Sequence, residues 1–599
     1  MSPYRGRRLI STSSRTTPVS EISVRAGGAA GDGIASVGET LSRSFARMGL
    51  HGFGLNAYQS VIRGGHVWFQ ARASDRKVHS QGDACDVLYA MDRQTVDIHL
   101  PSISPGGTVV YDPEKFAVPD SELPAGVRAL PVPTLAIARK FTPQSILQNA
   151  AGMGATAFVA GIPLATVQQV LTESFGRKKG DIVDWNIGAS GEGYRHAEQH
   201  ASVNDHAVKP GGPPKLLMTG NQAIGLGAAA AGLKFLAQYP MTPATGIMTW
   251  LAAHSRELGI VVKQAEDELA AVHMAIGASF GGVRAMTATS GGGFSLMVEA
   301  LGMAGMCEVP LVVVDSQRSG PSTGLPTKTE QGDLNLMLGA GQGEFPRAIL
   351  APSNPGEAFH TMLKAFQLAE DWQTPVLVAS DLHLSENLMT VDRDEISLDV
   401  EVPSLYTVEP NGHEYRRYQY TDSGVSPRAL PGQPGLMHIA GSDEHDERGH
   451  LISDTRSGVP LWVSERTKMM NKRMRKLSGL LGATSAPGLE GASPSEITFV
   501  AWGSTVGAVR DAMALLGERG VPSNLLRMET VYPVHGAEIV DAISNAKRTL
   551  LVEGNFSGQL AHLLRAETGV VLPHRFLKYD GEPFYPMEIV GKAMEVVNG

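Results

Sequence analysis

The chain predicts a multidomain α/β protein built largely on doubly wound parallel sheets, and three observations carry that prediction. Short apolar strands alternate with helical stretches over two long tracts, the pattern of parallel βα units. A length of 599 residues is enough for on the order of three or four domains. Hydrophobic residues make up 42% and charged residues 19% with a net charge of −9, a balance that suits a globular enzyme and offers no basic face to nucleic acid. No uninterrupted apolar run reaches the length of a membrane span, so no membrane partner is expected.

The first twenty residues are basic and Ser/Thr-rich and lack the apolar centre of a secretory signal. They are expected to form a disordered tail, with a transit peptide as the weaker alternative. Residues 21–205 follow as a first domain, opening at Ile22 with a strand, a glycine turn and an amphipathic helix. Gly27, Gly28, Gly31 and Gly33 could bring backbone N–H groups to a phosphate, but their spacing falls short of the dinucleotide fingerprint. The Pro/Gly-rich stretch 206–215 reads as a linker.

A second α/β domain is expected over 216–385. Its strands lie at Leu216 to Met218, Arg284 to Thr287, Leu311 to Asp315, Ala348 to Ala351 and Val376 to Ser380. From 386 to 495 the pattern dissolves into turns and charged clusters, a long connection onto which no elements are forced. Regular structure returns over 496–599, with strands at Ile497 to Ser504, near Leu525 and at Thr549 to Glu553 around a helix from Val506 to Glu518.

One tract carries chemistry. Gln264 to Gly293 sets Glu266, Asp267 and Glu268 at the mouth of an almost wholly apolar helix, which predicts an interior helix. An acidic first turn alone needs only the helix dipole, but a carboxyl group buried beside so many small residues asks for a partner. His273, alone on that helix, is expected to be a hydrogen-bonded core residue with no catalytic part. Only Cys85 and Cys307 are present, so neither a disulfide framework nor a four-cysteine cluster can form within the chain, and a reducing cytoplasm is the default location.

Glu268 followed by Gly277 resembles the helix of thiamine diphosphate enzymes whose glutamate hydrogen-bonds the aminopyrimidine. The blocks YPMTPAT (239–245), EDELAAVHMAIGAS (266–279), TATSGGGFSLMVEALG (287–302) and VDSQRSGPSTGLPTKTEQGDL (314–334) together resemble the alpha subunit of the 2-oxoacid:ferredoxin oxidoreductases. The segment Asn56 to Ser74, with Arg63, Gly64 and Gly65 before a strand, resembles that family's gamma domain, here fused at the N-terminus. The last of the four blocks is nearer to the 2-oxoglutarate branch than to the pyruvate branch.

This resemblance implies a gamma domain at 21–205, a pyrimidine-binding thiamine diphosphate domain at 216–385 and a transketolase-C-terminal-like domain at 496–599. Decarboxylating a 2-oxoacid needs an electron sink that no side chain supplies, and thiamine diphosphate provides it. By resemblance Glu268 holds the cofactor ring, with Glu266 as the alternative, and Ser290 and Gly291 lie beside it. Arg318 grips the substrate's 1-carboxylate through a two-pronged guanidinium contact, and Thr242 touches substrate and cofactor. Thr327, Thr323 and Lys328 are the candidates for a second substrate carboxylate.

Some expected machinery is missing from the chain. Gly31-Asp32-Gly33 followed by Asn56 imitates a magnesium diphosphate motif, but the spacing is short and a second Asn is lacking, so no metal ligand is assigned. The resemblance places Mg2+ and a 4Fe-4S cluster on a separate beta subunit, in an assembly of two alpha and two beta chains that passes electrons to ferredoxin. It also implies coenzyme A as co-substrate, succinyl-CoA and carbon dioxide as products, and a reverse reaction that fixes carbon dioxide.

Arg428 and the basic run Lys468 to Lys476 could meet coenzyme A or a partner, although the run is expected to be a solvated helix face. Glu444 to His450 has metal-like composition but equally suits an exposed loop. Pyruvate or a branched 2-oxoacid is the rival substrate. A non-catalytic scaffold and a dinucleotide oxidoreductase are the rival functions.

Overall fold

The computed structural model describes residues 20–60, 64–142, 147–176, 181–402, 405, 407–409, 412–452 and 461–599. The chain forms two compact units: Met1–Met218 with Asn387–Glu395 and Tyr585–Met587, and Thr219–Glu386 with Ile396–Phe584 and Glu588–Gly599. Residues 1–19, which hold nearly all of the expected tail, and Arg63 lie outside the described residues. Among the described residues no helix is long and apolar enough to cross a membrane.

The first unit carries an eight-stranded sheet in the order Arg128–Pro131, Ile103–Tyr111, Cys85–Ala90, Glu21–Ala29, His66–Ser74, His51–Ala57, Leu388–Val391, Leu216–Thr219. Pairing is parallel from the first strand to Glu21–Ala29 and antiparallel from there to Leu388–Val391. The helix Ile34–Arg47 turns Val37, Leu41 and Phe45 into a core with Ile22 and Val24. Helices Gln148–Val159 and Ile182–His200 touch backbone to backbone. A Cβ on Gly154 would lie 2.0 Å from the Ser190 carbonyl oxygen, and one on Gly193 would lie 1.9 Å from that of Ala151.

Gly31-Asp32-Gly33 forms the turn before helix Ile34–Arg47. Gly31 and Gly33 have φ of 102° and 80°, and the Asp32 carboxylate accepts from the Ala29 N–H at 3.1 Å. That carboxylate is thus engaged by its own turn.

Two assignments differ from expectation. Leu216–Thr219, expected to open the second domain, is the last strand of this first sheet, and its neighbour Leu388–Val391 comes from the stretch expected to be irregular. Four half-buried residues carry no local mark of the sheet they will join. The return strand is fixed from outside: the Gly52 N–H donates to Thr390 Oγ1 at 2.7 Å, and Lys215 pairs with Asp392.

The second unit holds a seven-stranded sheet, ordered Thr530–Tyr532, Ala348–Leu350, Pro375–Asp381, Leu311–Gln317, Ala285–Thr289, Phe235–Gln238, Val261–Gln264. All neighbours are parallel except the first pair. A five-stranded sheet runs Leu489–Gly491, Ser523–Met528, Ile497–Trp502, Thr549–Glu553, His574–Leu577, again with only its first pair antiparallel. The two sheets share one core, in which Val313 and Leu377 belong with Val500, Leu526 and Leu551.

The stretch 386–495 also contains a 23-residue helix, Leu461–Ala483. Its inward stripe is Met469, Lys472, Arg473, Lys476 and Leu480, a helical spacing filled mostly by cations. The expected solvated face is therefore wrong for Lys472, Arg473 and Lys476, each of which reaches a buried or half-buried carboxylate. Arg428 is buried too, paired with Glu370 at 2.8 Å.

Candidate active site

In the seven-stranded sheet the chain leaves Phe235–Gln238 toward the edge strand Val261–Gln264, then returns to the other side of Phe235–Gln238 as Ala285–Thr289. Between those flanking directions the sheet reverses its winding, and α/β sheets bind ligands at the carboxyl ends of the strands there. The loops that leave these ends carry the sequence blocks: Tyr239 to Ala244 after the first strand, Ser290 to Gly293 after Ala285–Thr289, and Arg318 onward after Leu311–Gln317.

Glu268 is the first residue of helix Glu268–Phe280, which Asp267 caps by accepting from the Ala270 N–H at 2.7 Å. Glu268 is buried, and its Oε1 has no hydrogen-bond partner among the described residues. A Cβ on Gly293 would lie 2.6 Å from that oxygen and 2.1 Å from Thr289 Oγ1, so only glycine leaves the carboxyl its place. Glu266 is exposed ahead of the helix.

Ser290 is buried with its Oγ unpartnered among the described residues, at the start of helix Gly291–Met306. Gly291 abuts the Asp333 carboxylate, where a Cβ would lie 2.3 Å from Oδ2. A buried carboxyl oxygen and a buried hydroxyl without partners among the described residues are costly unless something else satisfies them. They suit a polar heteroaromatic ring such as the aminopyrimidine of thiamine.

Arg318 stands half-buried at the end of its strand. One N–H of its guanidinium donates to the Thr242 carbonyl at 2.7 Å, and among the described residues it forms no ion pair. Burial lowers its pKa, against which Asp333 works. Thr242 and Arg318 are thus held together, with the rest of the guanidinium fork unused.

The loop beyond Arg318 closes on itself, the Ser319 N–H donating to the Lys328 carbonyl and the Leu325 N–H to the Ser319 carbonyl, both at 3.0 Å. Thr323 is exposed on it and Thr327 half-buried. The Lys328 ammonium is already engaged by Glu582 at 2.6 Å.

Sequence reasoning missed two acids. Asp315, in the buried strand Leu311–Gln317, has neither oxygen partnered among the described residues. Burial and the neighbouring Asp333 raise its pKa well above the usual range. Asp333 is pushed up to about 6, by burial first and then by Glu330, against the opposing pull of Arg318. A buried carboxyl directly after the apolar run of Leu311 to Val314 is as anomalous as Glu268 at its helix mouth, and the same reasoning could have found it.

The helix bearing Glu268 is not interior on every side. Leu269 is 46% and Met274 38% exposed, with Leu296 of the next helix at 48%, so its apolarity serves an outward face as well as the core. His273 lies on that face with its Nδ1–H donating to the Leu269 carbonyl at 2.7 Å, contrary to the expected core histidine. In the Glu444 to His450 segment, Glu444 pairs with Arg473 and the buried His445 ring stacks near Tyr418. Among the described residues no three His, Cys, Asp or Glu side chains form a metal-binding group.

The family described as pyruvate flavodoxin/ferredoxin oxidoreductase, thiamine diphosphate-binding, matches residues 226–460, and pyruvate ferredoxin/flavodoxin oxidoreductase matches residues 23–196. The 2-oxoacid:ferredoxin oxidoreductase subunit alpha of Sulfolobus sp is 32% identical over 95% of this chain and 96% of its own length. The 2-oxoglutarate oxidoreductase subunit KorA of Mycobacterium tuberculosis is 30% identical over 91% of this chain and 87% of its own. Among solved structures, the 2-oxoglutarate:ferredoxin oxidoreductase from Magnetococcus marinus with 2-oxoglutarate, coenzyme A and succinyl-CoA bound matches with a TM-score of 0.89. It is 34% identical and covers 96% of this chain and 100% of that one. With relatives of this identity matched over nearly their whole length, the chain belongs to the alpha subunits of the 2-oxoacid:ferredoxin oxidoreductases.

Proposed function

We propose that this chain acts on 2-oxoglutarate, as the alpha subunit of an enzyme that converts it with coenzyme A to succinyl-CoA and carbon dioxide and passes two electrons singly to ferredoxin. The observation that carries this reading is that a buried carboxyl, Glu268, whose Oε1 has no hydrogen-bond partner among the described residues, and a guanidinium, Arg318, that forms no ion pair among them both stand at the ligand-binding end of one sheet. A family match alone does not fix the substrate. The likeness to the Magnetococcus marinus enzyme and to the KorA chains favours 2-oxoglutarate over pyruvate or a branched acid.

Thiamine diphosphate, when bound, supplies the electron sink for decarboxylation. The chain's own residues do the rest. Glu268 would hold the aminopyrimidine edge by a hydrogen bond to its free oxygen, while Ser290 and Gly291 would line the approach. Arg318, steadied by the Thr242 carbonyl, binds and orients the 1-carboxylate. Thr327 and Thr323 offer hydroxyls to the distal carboxylate, and Lys328 could join them only by leaving Glu582.

On this reading residues 21–205 are the gamma domain, 206–215 the linker, 216–385 the pyrimidine-binding domain and 496–599 the transketolase-like domain. Mg2+, diphosphate and a 4Fe-4S cluster belong to a beta subunit that covers the exposed apolar face around Leu269 and Met274, in an assembly of two alpha and two beta chains in the cytoplasm. The reaction can also run toward carbon dioxide fixation.

The test is turnover of the chain assembled with its beta subunit, supplied in turn with 2-oxoglutarate, pyruvate and a branched 2-oxoacid. Glu268→Ala is expected to cost about a hundredfold or more in kcat, on the scale of a lost proton-transfer group. Preference for pyruvate would overturn the substrate assignment. Near-normal turnover of the variant would instead favour a scaffold.

A further inference from the structure

The functions just assigned leave Asp315 and Asp333 unused. Asp315 pairs in register with Thr289 and with Ala379, so its side chain lies on the same face of the sheet as Thr289, whose hydroxyl neighbours Glu268 at Gly293. It is wholly buried, with neither oxygen partnered among the described residues. An ionised carboxylate is not stable in such a place, whereas a neutral acid is.

Asp333 comes from the loop that crosses back over this face. Its backbone N–H donates to Gln317 Oε1 at 3.0 Å, its carboxylate rests on Gly291 at the start of helix Gly291–Met306, and its Oδ2 has no partner among the described residues. The charged groups that act on it are Glu330 on its own loop and Arg318 at the strand end, and it acts in turn on Asp315 of the strand. Arg318 acts on it electrostatically without forming an ion pair. Asp333 therefore faces the cation from which a substrate carboxylate would draw its binding.

We propose that Asp315 keeps a proton permanently, and that Asp333 is a positioning residue whose negative charge is exchanged for the substrate's 1-carboxylate on Arg318. This rests on Arg318 being the carboxylate anchor. In the empty site Asp333 is ionised and balances the guanidinium. When the anion binds, Asp333 takes one proton from solvent and becomes neutral, so the pocket's net charge does not change. The proton returns to solvent when the anion leaves. Two anions then never compete for one guanidinium in a low-dielectric site.

The experiment is calorimetric titration of the assembled alpha and beta complex with 2-hydroxyglutarate, a non-reacting dicarboxylate, at pH 7 in two buffers of different ionisation enthalpy. It is paired with the pH profile of kcat/KM for 2-oxoglutarate. With Asp333 titrating at about 6, close to one proton is taken up per anion bound, and kcat/KM falls about tenfold between pH 7 and pH 8. In Asp333→Asn the proton uptake and the fall both disappear. If that variant does not fold, Glu330→Gln serves instead, and the fall is expected to move to lower pH because the negative charge that raises Asp333 is gone. Buffer-independent heats with a flat profile in the unmodified complex would overturn the proton exchange alone. Absence of any 2-oxoglutarate turnover or binding in that complex would overturn the underlying assignment of function.

Discussion

Two buried acidic sites in the second unit make opposite use of the same ingredients. Glu308 is fully buried between two lysines of helix Leu461–Ala483, with Lys472 Nζ at 2.5 Å and Lys476 Nζ at 2.7 Å. The Lys476 ammonium also donates to the Gln373 carbonyl at 3.1 Å, and Arg417 donates to the Glu308 carbonyl at 2.7 Å. Asp315 is equally buried, and neither of its oxygens has a partner among the described residues. Burial alone would raise the Glu308 carboxyl, but Lys472, Lys476 and Arg417 outweigh it and hold it far below the usual range. The acids near Arg318 move the other way. Saturated pairing marks a site that fastens a long segment to the core, and unsatisfied acids mark a site prepared for a ligand.

The strongest way to break this comparison is to remove each acid. Glu308→Ala takes the carboxylate from two buried lysines and is expected to cost about 3–5 kcal/mol, the range for breaking a buried pair. A large fall in the apparent melting temperature would accompany it, with turnover per folded complex unchanged. Asp315→Val removes an unpartnered acid and should leave stability unaltered or raise it by about 1 kcal/mol. Equal destabilisation by the two variants, read by thermal melts at pH 7, would erase the distinction.

A smaller effect separates the sites by the sign of their pH dependence. The Glu308 carboxyl is depressed below its ordinary 4.5, so its contribution is present above that pH and lost as pH falls. Asp333 is raised from 3.8 to about 6, so its contribution is full below 3.8 and lost as pH rises through about 6. Between pH 4 and pH 7 the unmodified chain should lose up to about 3 kcal/mol relative to Asp333→Asn. Below pH 4.5 it should lose its advantage over Glu308→Gln. Melting curves of the three proteins across pH 3.5 to 7.5 read both limbs, and parallel curves would show that neither acid is shifted.

The same contrast explains what could be read from the amino-acid sequence. Four strands of the seven-stranded sheet were legible because they are apolar runs broken by turns, whereas Phe235–Gln238, the edge strand Val261–Gln264 and Thr530–Tyr532 were not, and Glu268 stood out because a carboxyl heads an apolar helix. Asp315 ends an apolar run and is followed by Ser316 and Gln317, so in sequence it looks like the polar end of a strand, and only the fold shows all three buried. The stripe Lys472, Arg473, Lys476 was illegible for a physical reason. Its cations face inward only because Glu308 and Glu444, 164 and 29 residues away from their partners, face them, and no local pattern reports a partner so distant. Leu216–Thr219 shows the same limit for a strand, since its sheet is decided by Leu388–Val391.

The smallest predicted effect tests whether partial pairing is functional or merely superficial. Lys328 and Glu582 are each about a third exposed, at 31% and 28%, so their ion pair is screened by solvent and is worth less than about 1 kcal/mol to stability. A lysine so held is a poor free donor to a substrate's distal carboxylate, because it must first give up a contact of similar strength. Lys328→Ala is therefore expected to change KM for 2-oxoglutarate by no more than about threefold, within that same energy. Thr327→Val, which deletes a half-buried hydroxyl on the same loop, should raise KM by about tenfold or more, as for a lost hydrogen bond to a charged group. Measuring both values with pyruvate as well separates the roles, since a contact to the distal carboxylate matters only for the dicarboxylate. A large, 2-oxoglutarate-specific rise in KM for Lys328→Ala would show that the ammonium leaves Glu582 to bind substrate, and would place this exposed pair with the functional acids rather than with Glu308.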